Sequence, residues 1–408
     1  MHRSLRLENL ALLPISVQRF AIPASNGSVS DFDRLIELLD DERHTLCLPV
    51  FYANLDPAGI PTEENLTTDT VICALMALDE LHDLNDSHKA AWADLWPRIY
   101  AWTIFFHAYR EYLVEPFARP DVCLALVAFV ALFNRDEDLK TMIGQTVGLR
   151  TLLITAWIVI MESGQQQDHW AFRDLCCVLC DIRIDGLGDF EEIIEVAGIK
   201  GLACLVNDTI SFFLFGGQSH MTEDDVVFLG NILLFLGNLR NTKTMSRALV
   251  AAGGATTITA AAITWLTRNP PSDAPTTVAI VLGCLNILSG MVSGHRAMRD
   301  SVATGLPSCI MFCLVISLDR DAHGVLGLKQ ILKQTLPAST IYQTVLPEIE
   351  LQLQYLRRPG ENRHVQSSWI YPDWISFTTL ADERIAFMKK SNQRITFFSR
   401  HAIIWSAV

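Results

Sequence analysis

Apolar residues recur three or four positions apart along nearly the whole chain, the spacing that lines one face of an α-helix. No run alternates with the period of two that a half-buried strand requires. Ile341, Val345, Ile349, Leu353 and Leu356 form one such face. Phe228, Leu229, Ile232, Leu233, Phe235, Leu236 and Leu239 form a wider stripe, which predicts a helix covered by neighbours on several sides. Thr222 ahead of Glu223, Asp224 and Asp225 predicts a helix start, since carboxylates there meet the positive end of the helix dipole. Asn269-Pro-Pro271 and Arg358-Pro-Gly360 predict stops. The expected fold class is all-α.

Four short segments share a pattern in which a glycine is followed by apolar residues one and four places later. They are Thr146-Val-Gly148-Leu-Arg-Thr-Leu152, Val196-Ala-Gly198-Ile-Lys-Gly-Leu202, Ala252-Gly-Gly254-Ala-Thr-Thr-Ile258 and Ala303-Thr-Gly305-Leu-Pro-Ser-Cys309. The glycines Gly148, Gly198, Gly254 and Gly305 are 50, 56 and 51 residues apart. A fifth, weaker copy is Leu95-Trp-Pro-Arg-Ile99. Each glycine is expected to sit at a tight corner between helices, where a side chain would clash. The spacing predicts an armadillo/HEAT-like α-solenoid of about five helical repeats over residues 30–358. Residues 1–29 read as a poorly structured lead-in, with Asn26-Gly-Ser28 as a turn before a helix from Asp31. Residues 359–372 read as a polar linker. Residues 373–390 read as an amphipathic helix capped by Asp373, with Trp374, Phe377, Ile385 and Met388 on one face. Residues 391–408 form a tail without a clear pattern.

At 408 residues, half of them apolar, the chain exceeds the roughly 250–300 residues that one compact core supports, so it must split or extend along an axis. Its formal charge of −13 and the lack of any Lys/Arg block argue against nucleic acid, whose affinity comes from cation contacts to phosphate. The ten cysteines are scattered, mostly within apolar stretches such as Leu202-Ala-Cys204-Leu-Val206, and are expected to be small buried residues. The opening lacks the apolar core of a signal peptide, so a cytoplasmic or nuclear location is expected. The mean hydropathy of +0.26 raises the membrane question. Uncharged windows run over Ala248–Thr267, Ala274–Gly294 and Ser301–Leu318, but they are rich in Thr, Ser, Asn and Gly and lack positive flanks. Buried helices are the expected outcome, and a membrane is not the expected partner.

Candidate chemistry is sparse. Cys177 and Cys180, beside Cys176 and with His169 upstream, make one ligand-like pair where zinc needs four ligands. Cys309 and Cys313 make another lone pair, one helical turn apart. Gly186-Leu-Gly188 and Gly216-Gly217 lack the context of nucleotide or phosphate loops. Gly290-Met-Val-Ser293-Gly294 misses the nucleophile-elbow pattern by one place. Asp40-Asp-Glu42 and Asp136-Glu-Asp138 read as solvated loop charges, and His82, His107 and His295 have no sequence-adjacent partners. No catalytic, cofactor-binding or metal-ligating residue is assigned, and the chain is not expected to be an enzyme.

Three strings go further: Met1-His-Arg-Ser-Leu-Arg-Leu-Glu-Asn-Leu-Ala-Leu-Leu-Pro14; Asp94-Leu-Trp-Pro-Arg-Ile-Tyr-Ala-Trp102 with His107-Ala-Tyr-Arg110; and Phe377–Lys390, centred on Leu380-Ala-Asp-Glu-Arg384. Over about residues 1–390 the chain resembles proteins of mushroom-forming fungi that carry a helical N-terminal region and a C-terminal MYND-type zinc finger. The resemblance implies a helical scaffold that binds a protein, with regulatory or transcription-linked roles by analogy. The family's finger is built from Cys-x-x-Cys pairs and a histidine, whereas residues 391–408 hold no cysteine and only His401, so no finger residue carries over. The expectation is a truncated isoform or a gene model that runs into an intron. No cofactor is expected in this chain, and zinc only where a C-terminal finger is restored. A non-enzymatic protein-interaction scaffold is the leading reading. A membrane-associated helical protein, or an enzyme with an unrecognised site, are the alternatives.

Overall fold

The structure is a computed structural model that describes residues 1–62, 69–82, 89–109, 127, 130, 137–163, 187–215, 223–239, 243–268, 274–292, 294–315, 325–357 and 366–405. Among these residues every regular element is a helix and there is no strand, so the protein is all-α. The chain divides into two compact units, Met1–Val196 and Ala197–Val408.

In the first unit, residues 1–29 are not an unstructured lead-in. Two short 3-10 helices lead into α1 (Ile15–Ala24), and Leu5, Leu10, Leu13, Val17, Ala21 and Ala24 are buried. Those six apolar positions are the reason: a segment that can bury them gains more than its ordering loses. The turn at Asn26-Gly27-Ser28 is present, with Gly27 at φ 87, and α2 follows over Val29–Ile36. Then come α3 (Asp41–Leu46), α4 (Leu48–Asn54), α5 (Asp69–His82) and α6 (Lys89–Tyr109). Buried Asn54 stitches α4 to α1, its Nδ2 donating to the carbonyls of Ala24 at 3.0 Å and Val50 at 2.9 Å. The opening residues and the Asp94–Trp102 string meet here, because the backbone N–H of His2 donates to the Asp94 carboxylate. Arg98 of the same string donates to the Tyr52 carbonyl at 2.8 Å and stacks over the Tyr52 ring at 3.7 Å.

Next, α7 (Glu137–Gly144) and α8 (Leu149–Ser163) are bent by 86° about Gly148, whose φ is 80. Trp96 and Tyr100 of α6 hold this corner, donating to Thr146 Oγ at 2.9 Å and the Val147 carbonyl at 2.7 Å. The segment Leu95–Ile99, expected as a fifth corner, lies inside α6 instead. It has no glycine, so nothing in it can take a positive φ at low cost. Then α9 (Leu187–Phe215) carries Gly198 within it at φ 66 and ψ 158, a conformation essentially confined to glycine.

The second unit repeats the corner twice more. Helices α11 (Lys243–Ala251) and α12 (Gly254–Arg268) are bent by 73°, and α14 (His295–Thr304) and α15 (Leu306–Val315) by 60°. The first of these bends turns on Gly253, φ 89, rather than on Gly254 as expected; Gly254 already opens the next helix. Gly254 is short of space, since a Cβ there would lie 2.9 Å from the Leu249 carbonyl. The other bend turns on Gly305, φ 120. Between and after the bent pairs run α10 (Glu223–Leu239), α13 (Ala274–Met291) and α16 (Val325–Gln330), the last continuing through a π turn (Ile331–Thr335) into α17 (Leu336–Ser339). Helix α13 packs against α10, α12 and α16, and α12 packs against α15. All seven residues of the Phe228–Leu239 stripe are buried.

The unit closes with α18 (Leu346–Leu356) and α19 (Tyr371–Trp405), packed on each other. Val345, Ile349, Leu353 and Leu356 are buried, but Ile341 is 63% exposed. It precedes the helix, which begins at Leu346 with Pro347 in its first turn, so the helical period does not reach back to it. Asp373 is not a cap: α19 begins at Tyr371, and Asp373 in its first turn pairs with Lys333 at 3.4 Å. The helix runs past residue 390 without a break, so the amphipathic segment and the tail share one helix.

No single helix among the described residues is long and apolar enough to cross a membrane. Two of the three uncharged windows are broken at Gly253 and Gly305, and the third, α13, has Ile280, Val281, Leu282, Cys284, Leu285, Ile287 and Leu288 all buried.

Candidate functional site

Three stacked helices of the second unit enclose a groove of about 720 Å³. Helix α12 contributes Ile263 and Leu266, α15 contributes Ser308 and Phe312, and α18 contributes Leu351 and Tyr355. The Gly305 corner forms part of its wall, with Ile263 so close that a Cβ on Gly305 would lie 3.1 Å from Ile263 Cδ1. Gln352 spans from α18 to the end of α14, donating to the Ala303 carbonyl at 3.4 Å. Leu351 and Tyr355 are each 61% exposed and one helical turn apart, so two large apolar side chains stand open at one edge of the groove. None of the described residues that line it is charged. The groove therefore offers apolar contact area and uncharged hydrogen-bonding groups, Gln352, Gln354, Thr267, Thr304 and Ser308 among them.

The residues singled out for chemistry do not converge on this groove. His169, Cys176, Cys177 and Cys180 lie outside the described residues, as do Gly186, Gly216, Gly217, Ser293 and Asp136. Cys309 and Cys313 are fully buried in α15. Burial pushes the Cys313 thiol up to about 12 and the Cys309 thiol well above its ordinary value, with Cys313 and Cys284 nearby adding to the latter. Burial also pushes Cys284 up to about 12. Thiols in that state are poor nucleophiles and poor metal ligands at neutral pH. Among the described residues no group of three or more His, Cys, Asp or Glu could hold a metal ion.

Cys204, expected to be buried, is exposed. In α9 the positions Leu202, Ala203, Leu205, Val206, Thr209 and Ile210 face inward, and the helical period leaves Cys204 outside. The acidic triplet at Asp40 is a helix start rather than loop charge: Asp40 caps α3, accepting from the Arg43 N–H at 2.9 Å. Glu137 and Asp138 open α7. His295 is exposed at the start of α14 with its ring 5.5 Å from that of Tyr342, and His107 is half-buried in α6. One pair escaped the sequence pattern altogether, His44 Nε2 with Glu80 at 2.6 Å, because its members come from α3 and α5.

No protein-family model matches the chain, and none of the curated proteins matches it.

Proposed function

We propose that the chain is a non-enzymatic protein-interaction scaffold built from armadillo-like repeats. Each repeat would be a short helix, a glycine corner, a long apolar helix and a third helix. The corners at Gly148, Gly198, Gly253 and Gly305 support this, as does the succession α10, α13, α16 of third helices packed one on the next. A unit of this kind cannot bury its apolar face alone, so neighbours stack and leave grooves between them. The observation that carries the functional reading is the groove, uncharged over its described lining, with Leu351 and Tyr355 open at its edge, since aromatic and apolar anchors of this sort dominate binding energy at protein interfaces. The proposed partner is a protein, met in the cytoplasm or nucleus, and the resemblance to the MYND-type proteins of mushroom-forming fungi agrees with that.

The test is affinity capture with the wild-type chain and with Leu351→Asp. Any captured protein is then purified and titrated against wild type, Leu351→Asp and Tyr355→Ala. Tyr355→Ala is expected to weaken a genuine groove ligand by about 2 kcal/mol and Leu351→Asp by at least as much. A partner that binds all three forms equally does not use the groove. The membrane-associated alternative draws on the three bent helix pairs, whose length and composition would allow a broken span. Pelleting with membranes in a form that resists carbonate extraction would favour it over the scaffold.

A further inference from the structure

All 45 Asp and Glu of the chain stand before Arg384, whereas Arg384, Lys389, Lys390, Arg394 and Arg400 fall from there onward. A chain of formal charge −13 thus carries an acid-free, cationic stretch over residues 384–408. Helix α19 runs through this stretch as far as Trp405. Lys389 pairs with Glu350 of α18. Arg384 and Lys390 are exposed and have no ion pair among the described residues.

The ion pairs with α18 set the register of α19. Arg357 meets Asp382 and Glu350 meets Lys389, so the two helices run antiparallel. On that register Leu346, the first residue of α18, falls opposite about residue 393, and α19 continues for about three turns beyond it. The earlier part of α19 is fixed by Trp374, Phe377, Ala381 and Ile385, all buried. Two residues further on, a rotation of about 200°, Phe387 is 72% exposed. The helical period places Ile395, Phe398, Ala402 and Trp405 on the side of Phe387, successive members lying 8, 3, 4 and 3 residues apart. It places Lys389, Lys390, Arg394 and Arg400 on the other side, with Phe397 and Ile404 among them.

We propose that α19 from Arg384 to Trp405 docks on the surface of an anionic phospholipid bilayer. The helix lies in the plane of the interface, with the Phe387–Trp405 side toward the acyl chains and the basic residues at the lipid phosphates. Charge complementarity names this occupant, because cations without neighbouring acids are drawn to the negative surface of a cytoplasmic leaflet. Aromatic residues at helical spacing beside such cations suit interfacial depth. Phe397 and Ile404 on the basic side favour lipid over an acidic protein groove. Long basic side chains snorkel past them to the headgroups of a fluid surface, an adjustment that a preformed groove does not offer. The docking is peripheral and involves none of the three bent helix pairs. It shares no described residue with the groove, so it goes beyond the groove reading and is tested apart from it.

The experiment sediments the full chain with vesicles of phosphatidylcholine alone and with vesicles containing about one-third phosphatidylserine. The chain is expected to pellet with the phosphatidylserine vesicles at low salt, to be released as salt rises, and to stay in solution with phosphatidylcholine. Each Lys or Arg contributes about fivefold at such a surface, so Lys390→Glu, Arg394→Glu and Arg400→Glu together should weaken binding by about a hundredfold or more. Phe387→Ser should weaken it about tenfold. Lys389 is left in place because it pairs with Glu350. Melts of both variants are measured alongside, and should one melt early, the other carries the test. Equal binding to both kinds of vesicle, no binding to phosphatidylserine, or binding unaffected by the variants overturns the proposal. So does tighter binding, at equal charge, to polyglutamate or to single-stranded RNA, which would reassign the segment to an acidic protein or to nucleic acid. Leu351→Asp, which probes the groove, is expected to leave vesicle binding unchanged, so the failure of either reading is distinguishable from the failure of the other.

Discussion

Gly253, Gly305 and Gly327 do different work, and alanine separates them. At Gly253 a Cβ meets nothing within 4 Å, so only the backbone conformation at φ 89 opposes it. Gly253→Ala is expected to destabilise by about 1–2 kcal/mol. Gly305→Ala should exceed that, because Ile263 must also give way. Gly327 has no positive φ, yet a Cβ there would come 2.4 Å from Asn286 Cα, backbone against backbone across α16 and α13. Gly327→Ala should therefore be the most damaging of the three, at roughly 3 kcal/mol or more. Urea melts would rank them, and a Gly327→Ala chain as stable as Gly253→Ala would contradict the packing. The thiols give a pH prediction. Cys284 is held neutral by burial, with its pKa raised from 9.0 to about 12. A raised pKa means that the stability it contributes is complete below about 9 and is lost as pH rises from there through about 12. The melting temperature should fall over that window, and less steeply in Cys284→Ala. Alkylation mapped by mass spectrometry should mark Cys204 in the native protein, and Cys284, Cys309 and Cys313 only after unfolding.

Packing rather than charge holds the last helix in place. On α19, Ile370 just before it and Trp374, Phe377, Ala381 and Ile385 within it are buried, while the ion pairs to α18, Arg357 with Asp382 and Lys389 with Glu350, lie toward solvent. The side chains of Arg357 and Asp382 are each about half exposed, a setting in which such pairs contribute about 0–1 kcal/mol. Phe377→Ala should cost about 3–5 kcal/mol and Arg357→Ala less than 1. Limited proteolysis is expected to cut within residues 366–390 of the first variant well before the second. The helical face of α19 was legible in the sequence because its apolar period is unbroken. The start was misplaced by treating Asp373 as a cap, where Pro372 had already set the first turn.

At the scale of the molecule, charge decides which partners are open to it. The net charge of −13 opposes the cation contacts to phosphate from which duplex DNA binding draws its strength. No complex with duplex DNA is expected in a mobility-shift assay at physiological salt, and a stable shifted band would contradict the protein-partner proposal. The candidate site was only partly legible. The chain could be read as helical, with corners near Gly148, Gly198 and Gly305, but the groove joins Ile263, Phe312 and Leu351, which lie far apart in sequence. No local pattern links such residues.

The sequence by itself determined whatever depends on neighbouring residues. The helical period places the Phe228–Leu239 stripe indoors, and glycine alone tolerates the positive φ of the corners. Tertiary structure decided the rest, because burial is a property of facing helices. It chose Gly253 over Gly254 for the bend, since Gly254 is pressed against the Leu249 carbonyl and the Met291 side chain. It buried Leu5, Leu10 and Leu13 of a segment that had read as a lead-in, turned Cys204 outward, and kept Leu95–Ile99 within one helix. It also left Leu351 and Tyr355 open on a helix whose other face, Ile349, Leu353 and Leu356, is filled. Helical spacing tells which residues share a face; only the neighbours present tell whether that face is covered.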